Sequence, residues 1–300
     1  MINKKWTAED IQDQKGRVVI VTGSSSGIGY EAARVLANKN ATIIIAVRNM
    51  EKGKSAANRI KKQNSSADLL IMELDLANLK SVKTFAEKFN SEFERLDLLI
   101  NNAGVMMPPY SKTVDGFELQ FGTNHLGHFA LTSLLFERLN STPDSRIVTV
   151  SSMAHKYADF DFSDLNWEKR KYKKMGSYGA SKISNLFFTY ELKDWLHKSG
   201  SKVKATAAHP GWTATDLQRH SGLFEFMNGI FAQSVEMGAL PTLRAAADES
   251  AESGDYFGPS GWHQWKGFPK KVESNKFSHD KNAAQKLWEI SENMTGIKFQ

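Results

Sequence analysis

Residues 18–29, Val18-Val19-Ile20-Val21-Thr22-Gly23-Ser24-Ser25-Ser26-Gly27-Ile28-Gly29, set the strongest limit on what this chain can become. Four β-branched residues in a row favour a buried strand, and glycines at 23, 27 and 29 allow a tight turn where backbone approaches a ligand. After Tyr30, the spacing of Ala32, Val35 and Leu36 puts apolar side chains on one helical face. A helix entered through such a turn offers free N–H groups and a positive dipole end to a phosphate. Three readings compete. A P-loop needs Gly-Lys-Ser/Thr to close the motif, and Ile28-Gly29-Tyr30 stands there instead. Gly23-x-Ser25-x-Gly27 matches a hydrolase nucleophile elbow, but such an elbow follows several strands, and barely one precedes it here. A dinucleotide pyrophosphate site remains, and alone it is a weak signal.

The rest of the chain supplies the context. Apolar runs at 41–47, 69–72, 96–100, 147–150 and 202–208 read as further strands, with helical segments near 50–62, 79–94, 177–198 and 234–248 between or after them. Repeated βα units imply a doubly wound α/β fold in three layers, with a mainly parallel sheet of about seven strands and ligands at the strands' carboxyl ends. A long helix is expected over 116–139, an edge strand at 255–259 and a closing helix near 283–292. No linker or repeat divides the chain, so 1–300 is read as a single domain, with a cofactor half to about residue 150 and a catalytic half after it.

Arg48 ends the second strand, 19 residues beyond Gly29, and 41–50 contains no acid. An acid there would hold a ribose 2′-hydroxyl, whereas an arginine suits a 2′-phosphate, which favours NADP(H) over NAD(H). Zero cysteines exclude thiol nucleophiles, thiolate metal sites and disulfides, so redox chemistry must use a bound cofactor. The net charge of +6, from 39 Lys+Arg against 33 Asp+Glu, is dispersed and favours solubility over nucleic-acid binding. The basic, aromatic run at 168–174 reads as a solvated insertion, and His125 and His128 as packing residues with no acid to complete a zinc motif. A polar N-terminus and the lack of any 18-residue apolar stretch lead to the expectation of a cytoplasmic protein without a membrane span.

Tyr178 and Lys182 lie four apart, on one helical face about a turn from each other. A free phenol has a pKa near 10, so work near neutral pH requires about 4 kcal/mol of anion stabilisation, and a neighbouring ammonium supplies part of it. The pair alone is common. Together with Thr22-Gly23-x-x-x-Gly27-Ile28-Gly29, Asn101-Asn102-Ala103-Gly104, Asn124 and Ser152 in order, however, the chain resembles a short-chain dehydrogenase/reductase over roughly 15–250. Val47-Arg48-Asn49, Asn102-Ala103-Gly104-Val105-Met106-Met107, Asn124-His125-Leu126-Gly127-His128-Phe129 and His209-Pro210-Gly211 are similar to the retinol dehydrogenase-like branch, and Trp6-Thr7-Ala8-Glu9-Asp10-Ile11 to its soluble bacterial members.

The resemblance implies a Rossmann fold and a catalytic set of Asn124, Ser152, Tyr178 and Lys182. Tyr178 would be the general acid or base, Ser152 would bond the substrate oxygen, Lys182 would lower the phenol's pKa and hold the nicotinamide ribose, and Asn124 would hold a relay water. Gly23, Ser25, Gly27, Ile28 and Gly29 would lie along the cofactor, with Asp75 near adenine, Asn102 near the adenosine-side ribose and Thr215 near the nicotinamide amide. Met106-Met107-Pro108-Pro109 and the apolar stretch 217–231 suggest a small hydrophobic carbonyl or alcohol as substrate. Helices 116–139 and 177–198 would offer a face for a homodimer or homotetramer. A non-catalytic dinucleotide sensor is the runner-up, disfavoured because binding alone needs no acid, polariser and relay.

Overall fold

A computed structural model describes residues 5–213 and 232–300. The glycine-turn strand β1 (Val18–Thr22) leads into α1 (Gly27–Asn38), followed by β2 (Thr42–Val47), α2 (Met50–Gln63), β3 (Leu69–Glu73), α3 (Leu79–Glu92) and β4 (Leu98–Asn101). These strands pair in parallel, and the sheet runs β3-β2-β1-β4 before continuing through β5 (Arg146–Val150), β6 (Lys204–Ala208), β7 (Tyr256–Pro259) and β8 (Pro269–Lys271). The chain winds outward from β1 to β3, then crosses back to β4. Above the carboxyl ends of β1 and β4 the connections therefore diverge, opening the crevice that such sheets use for ligands.

Alternation along β1 explains the layers. Val19 and Val21 pack with α1 and with Ala239 and Leu243 of α8 (Val235–Ala247), whereas Val18 and Ile20 pack with Phe85 and Phe89 of α3 and with Phe129 and Phe188 on the other face. Both faces are covered, and so the strand reads as a continuous apolar run.

Three expectations change. Among the described residues the sheet has eight strands; the added one, β8, is only three residues long, carries Pro269 and two lysines, gives no strand signal and pairs antiparallel with β7. Residues 256–259 accordingly lie between β6 and β8 and not at the edge. The expected helix over 116–139 is broken into α4 (Leu119–Phe121), a π turn (Gly122–Leu126), α5 (Gly127–Leu134) and α6 (Phe136–Asn140). The π turn begins at Gly122 and α5 at Gly127, and π turns recur at functional positions.

Helix α7 (Lys174–Ser199) begins three residues earlier than its apolar spacing suggests. The closing helix α9 (Lys281–Thr295) packs on it, Trp288 meeting Phe129 edge-on at 5.2 Å and stacking on Phe188 at 5.9 Å. Part of the face considered for self-association is thus covered by the chain's own C-terminal helix. Among the described residues no helix is long and apolar enough to cross a membrane.

The basic run is partly paired within the chain. Arg170 lies over the Trp167 ring and bonds Asp159 at 2.6 Å, Lys173 bonds Asp159 at 2.9 Å, and Glu168 pairs with Lys112.

Candidate active site

One cleft of about 500 Å³ runs from the glycine turn to the start of α7 and is lined at one end by Ser25, Arg48 and Asp75 and at the other by Ser152, Tyr178 and Lys182. The glycine turn is shaped by backbone approach. Gly23 has φ +67°, and a Cβ there would stand 2.9 Å from the Cα of Ala103. At Gly29 a Cβ would run into the Asn102 amide and stand 2.8 Å from the Gly23 carbonyl, so neither position admits a side chain. Ser26 gives no side-chain cap to α1, and the first N–H taken up is that of Tyr30, bonded to Ser26 at 3.2 Å. The N–H groups of Gly27, Ile28 and Gly29 therefore have no helical partner where these residues line the cleft, as a bound diphosphate requires.

Arg48 is exposed and makes no hydrogen bond or ion pair among the described residues, so its guanidinium is available at the rim. The Asp75 carboxylate accepts the N–H of Ala77 at 3.0 Å. Asn102 donates its amide to the carbonyl of Thr22 at 2.8 Å, and its N–H to the Thr22 hydroxyl at 2.9 Å, which fastens the Asn-Asn-Ala-Gly turn to the end of β1. Thr215 and the apolar stretch 217–231 lie outside the described residues.

At the other end Tyr178 and Lys182 are buried and Ser152 is half-buried. Ser152 follows β5, and its hydroxyl oxygen accepts the N–H of Ala154 at 3.1 Å, leaving its proton to donate. Tyr178, on the second turn of α7, is 5 % exposed; burial pushes its phenol up to about 12, and a hydrogen bond with Ser152 opposes the shift. The expectation of a lowered phenol thus meets a stronger desolvation effect, and the group is protonated at neutral pH. Lys182 donates to the carbonyl of Val150 at 3.1 Å, its Nζ is 5.8 Å from the Tyr178 ring centre, and burial brings its ammonium down to about 8.

Asn124 sits on the π turn, fully buried. Its side chain accepts from the N–H of Val105 at 2.8 Å and donates to the Val105 carbonyl and to Ser181. The side chain is therefore a clamp on the loop after Gly104, and its backbone carbonyl accepts from Nδ1 of His128 at 2.9 Å.

Near the cleft, Gln120, Glu118, Tyr172 and His155 belong to no motif that singles them out in the sequence. Gln120 accepts from the N–H of Met107 at 2.8 Å and donates to Tyr172 and Ser177, while Tyr172 also donates to buried Glu118 at 2.8 Å. This ties the insertion to the Met106-Met107 loop. His155 donates from Nδ1 to the Ser152 carbonyl at 2.7 Å and accepts at Nε2 from the N–H of Asn275. His125 contacts Ser291 and His128 contacts Thr22 and Asn124, so both imidazoles have protein partners. The i,i+4 spacing of Asn124 and His128 was the available signal for the latter.

Known proteins agree with this geometry. The pattern of the short chain dehydrogenases matches residues 17–224. Retinol dehydrogenase 12 of Mus musculus is 42% identical over 290 residues, covering 95% of this chain and 88% of that protein. Retinol dehydrogenase 13 of Homo sapiens is 42% identical over 294 residues, covering 94% and 86%. Among solved structures, an uncharacterised protein from Mycobacterium paratuberculosis superposes with TM-score 0.84 at 40% identity, covering 99% of this chain and 100% of that one. A short chain dehydrogenase from Shigella flexneri, solved with NADP, shares the fold with TM-score 0.65 at 23% identity, covering 82% and 98%. With one mainly parallel sheet, a glycine turn at its switch point and these relatives along nearly its whole length, the chain belongs to the short-chain dehydrogenases, in their retinol dehydrogenase-like branch.

Proposed function

We propose that this chain is an NADP(H)-preferring oxidoreductase that moves a hydride between nicotinamide and a hydrophobic alcohol or carbonyl, using Asn124, Ser152, Tyr178 and Lys182. One observation carries the reading: a single cleft joins the glycine turn, and an Arg48 without an ion pair among the described residues, to the half-buried Ser152 and the buried Tyr178 and Lys182. The bound nicotinamide supplies or accepts the hydride. Gly27, Ile28 and Gly29 offer backbone N–H groups to the diphosphate, and Arg48 offers a charge to a 2′-phosphate.

Ser152 donates its hydroxyl proton to the substrate oxygen. Tyr178, protonated at neutral pH, delivers a proton to the same oxygen as a carbonyl is reduced and recovers it in the opposite direction. Lys182 places positive charge beside the phenolate that forms, and its two donors not used by Val150 would hold the nicotinamide ribose and a relay water at the Asn124 carbonyl. Val105 and Met106 at the catalytic end favour an apolar substrate, the class that includes the retinol named in the relatives.

The test is NADPH-dependent reduction of a panel of hydrophobic aldehydes and ketones, retinal included, by the wild type and by Tyr178→Phe. Loss of about 10²–10⁴-fold in kcat with unchanged NADPH affinity is expected. Equal turnover by the variant would remove Tyr178 from the mechanism, and NADPH binding without turnover of any substrate in either form would favour the sensor.

A further inference from the structure

His128 lies on α5, one turn beyond Asn124, with 1 % of its surface exposed. Its Nδ1 is 2.9 Å from the Asn124 carbonyl oxygen and its Nε2 is 2.9 Å from the Thr22 hydroxyl. A carbonyl only accepts, so Nδ1 carries the ring proton and Nε2 presents a lone pair. The Thr22 hydroxyl already accepts the N–H groups of Asn102 and Ala103, each at 2.9 Å, and its single proton has two acceptors in reach, the Ile100 carbonyl at 3.3 Å and, closer, Nε2 at 2.9 Å. An N–H at Nε2 would be a third donor aimed at an oxygen with two lone pairs. The network therefore admits one tautomer only, and burial, which takes the imidazole down to about 4, keeps it neutral.

The consequence is a continuous link between two ends of the cleft. Through Thr22 the ring holds the Asn102-Ala103 turn, which is on the cofactor side. Through Nδ1 it orients the Asn124 carbonyl, which the catalytic side needs for its relay. We propose that His128 is a positioning residue that acts on cofactor binding through Nε2 and on proton relay through Nδ1, two separable effects of one side chain. This rests on the nicotinamide-dependent reading above.

The two nitrogens can be replaced separately, because an asparagine amide reaches about where Nδ1 stands and a glutamine amide about where Nε2 stands. The experiment compares wild type, His128→Asn and His128→Gln by NADPH titration, by steady-state kinetics with a carbonyl substrate that the wild type reduces, and by thermal unfolding. His128→Gln keeps an acceptor for Thr22, so NADPH affinity stays within about threefold while kcat falls by about tenfold or more. His128→Asn keeps a donor for Asn124, so kcat at saturating cofactor stays within about threefold while NADPH binds about tenfold more weakly.

Parallel loss of both parameters in both variants, following the melting temperature, would reduce His128 to a packing residue and overturn the proposal, as would no change in either. Should both variants fail to fold, Thr22→Val and Thr22→Ser decide. The valine, which removes the hydroxyl, is expected to weaken NADPH about tenfold without changing kcat, and the serine to leave both as they are. Unchanged NADPH affinity in the valine variant would overturn the cofactor link. A wild type that binds neither NADPH nor NADH fails the functional reading itself, whereas a wild type that binds and turns over without a split between the variants fails only the role given to His128.

Discussion

The two ends of the cleft solve opposite problems. At the glycine-turn end, where we propose that the cofactor phosphates bind, the cleft offers backbone N–H groups and an exposed Arg48, so the chain buries almost no charge there. At the catalytic end Tyr178, Lys182 and the nearby imidazoles of His128, His155 and His209 are buried, and desolvation moves every one of them towards its neutral form. The difference teaches where stability and function compete. An exposed cation is removed at little cost to folding, whereas a buried ammonium must be carried by the rest of the fold.

Lys182→Met breaks this comparison most sharply. The ammonium's pKa falls from its ordinary 10.5 to about 8 in the folded chain, so its contribution to stability is full above pH 10.5 and is lost as pH falls to about 8. Below that, the native state bears the whole cost of holding the charge. Removing the amine should leave no orphan, because the Val150 carbonyl also accepts from Asn185 at 3.0 Å. At pH 7 the variant is expected to lose about 10²–10⁴-fold in kcat and yet unfold about 1–3 kcal/mol later in urea. A variant both inactive and less stable would show that the ammonium is repaid by interactions beyond Val150.

His209→Gln sharpens the same contrast away from the reacting groups. His209 is fully buried, donates from Nε2 to Gln264 at 2.9 Å and accepts at Nδ1 from the N–H of Gly211. Its pKa is lowered from 6.5 to about 3, so the stability it contributes is present above pH 6.5 and is lost as pH falls towards 3. Between pH 7 and pH 5 this single residue should account for about 2 kcal/mol of the wild type's loss in urea stability. The glutamine, which keeps the donor to Gln264, is expected to narrow the pH 7 to pH 5 gap by that amount. An identical gap in both proteins would mean that the imidazole charges without leaving its place.

Legibility in the sequence follows the same division. The glycine-turn end could be read as strand, turn and helix because its parts are local: a β-branched run, a glycine turn and an arginine 19 residues later are fixed by neighbours in the chain. The parallel strands were readable for the same reason, and β8 was not, since Pro269-Lys270-Lys271 owes its pairing entirely to Phe257–Pro259 across the sheet. The residue types of the catalytic end were legible, but their ionisation was not. The direction of the Tyr178 shift depends on burial, which outweighs the ammonium that spacing alone suggested. The Glu118–Tyr172 bond spans 54 residues, and the break at Gly122–Leu126 reflects a π turn that helical periodicity does not encode.

The smallest effect belongs to Arg48→Ala, and it is the cleanest mark of an exposed site. Arg48 has no ion pair among the described residues, so its removal should leave the melting temperature within about a degree, as surface substitutions usually do. NADPH affinity is expected to fall about tenfold, the worth of one charge-assisted contact, while NADH affinity stays as it was. Because the contact is made in water, added salt should shrink the NADPH difference between wild type and variant as the screening length contracts from about 10 Å at 0.1 M to about 3 Å at 1 M. Titrations with both nucleotides at the two ionic strengths measure this directly. Equal losses for NADPH and NADH would move Arg48 from the 2′-phosphate to a part that both cofactors share, and a difference that salt does not shrink would mean that the guanidinium is drawn out of solvent when the nucleotide binds.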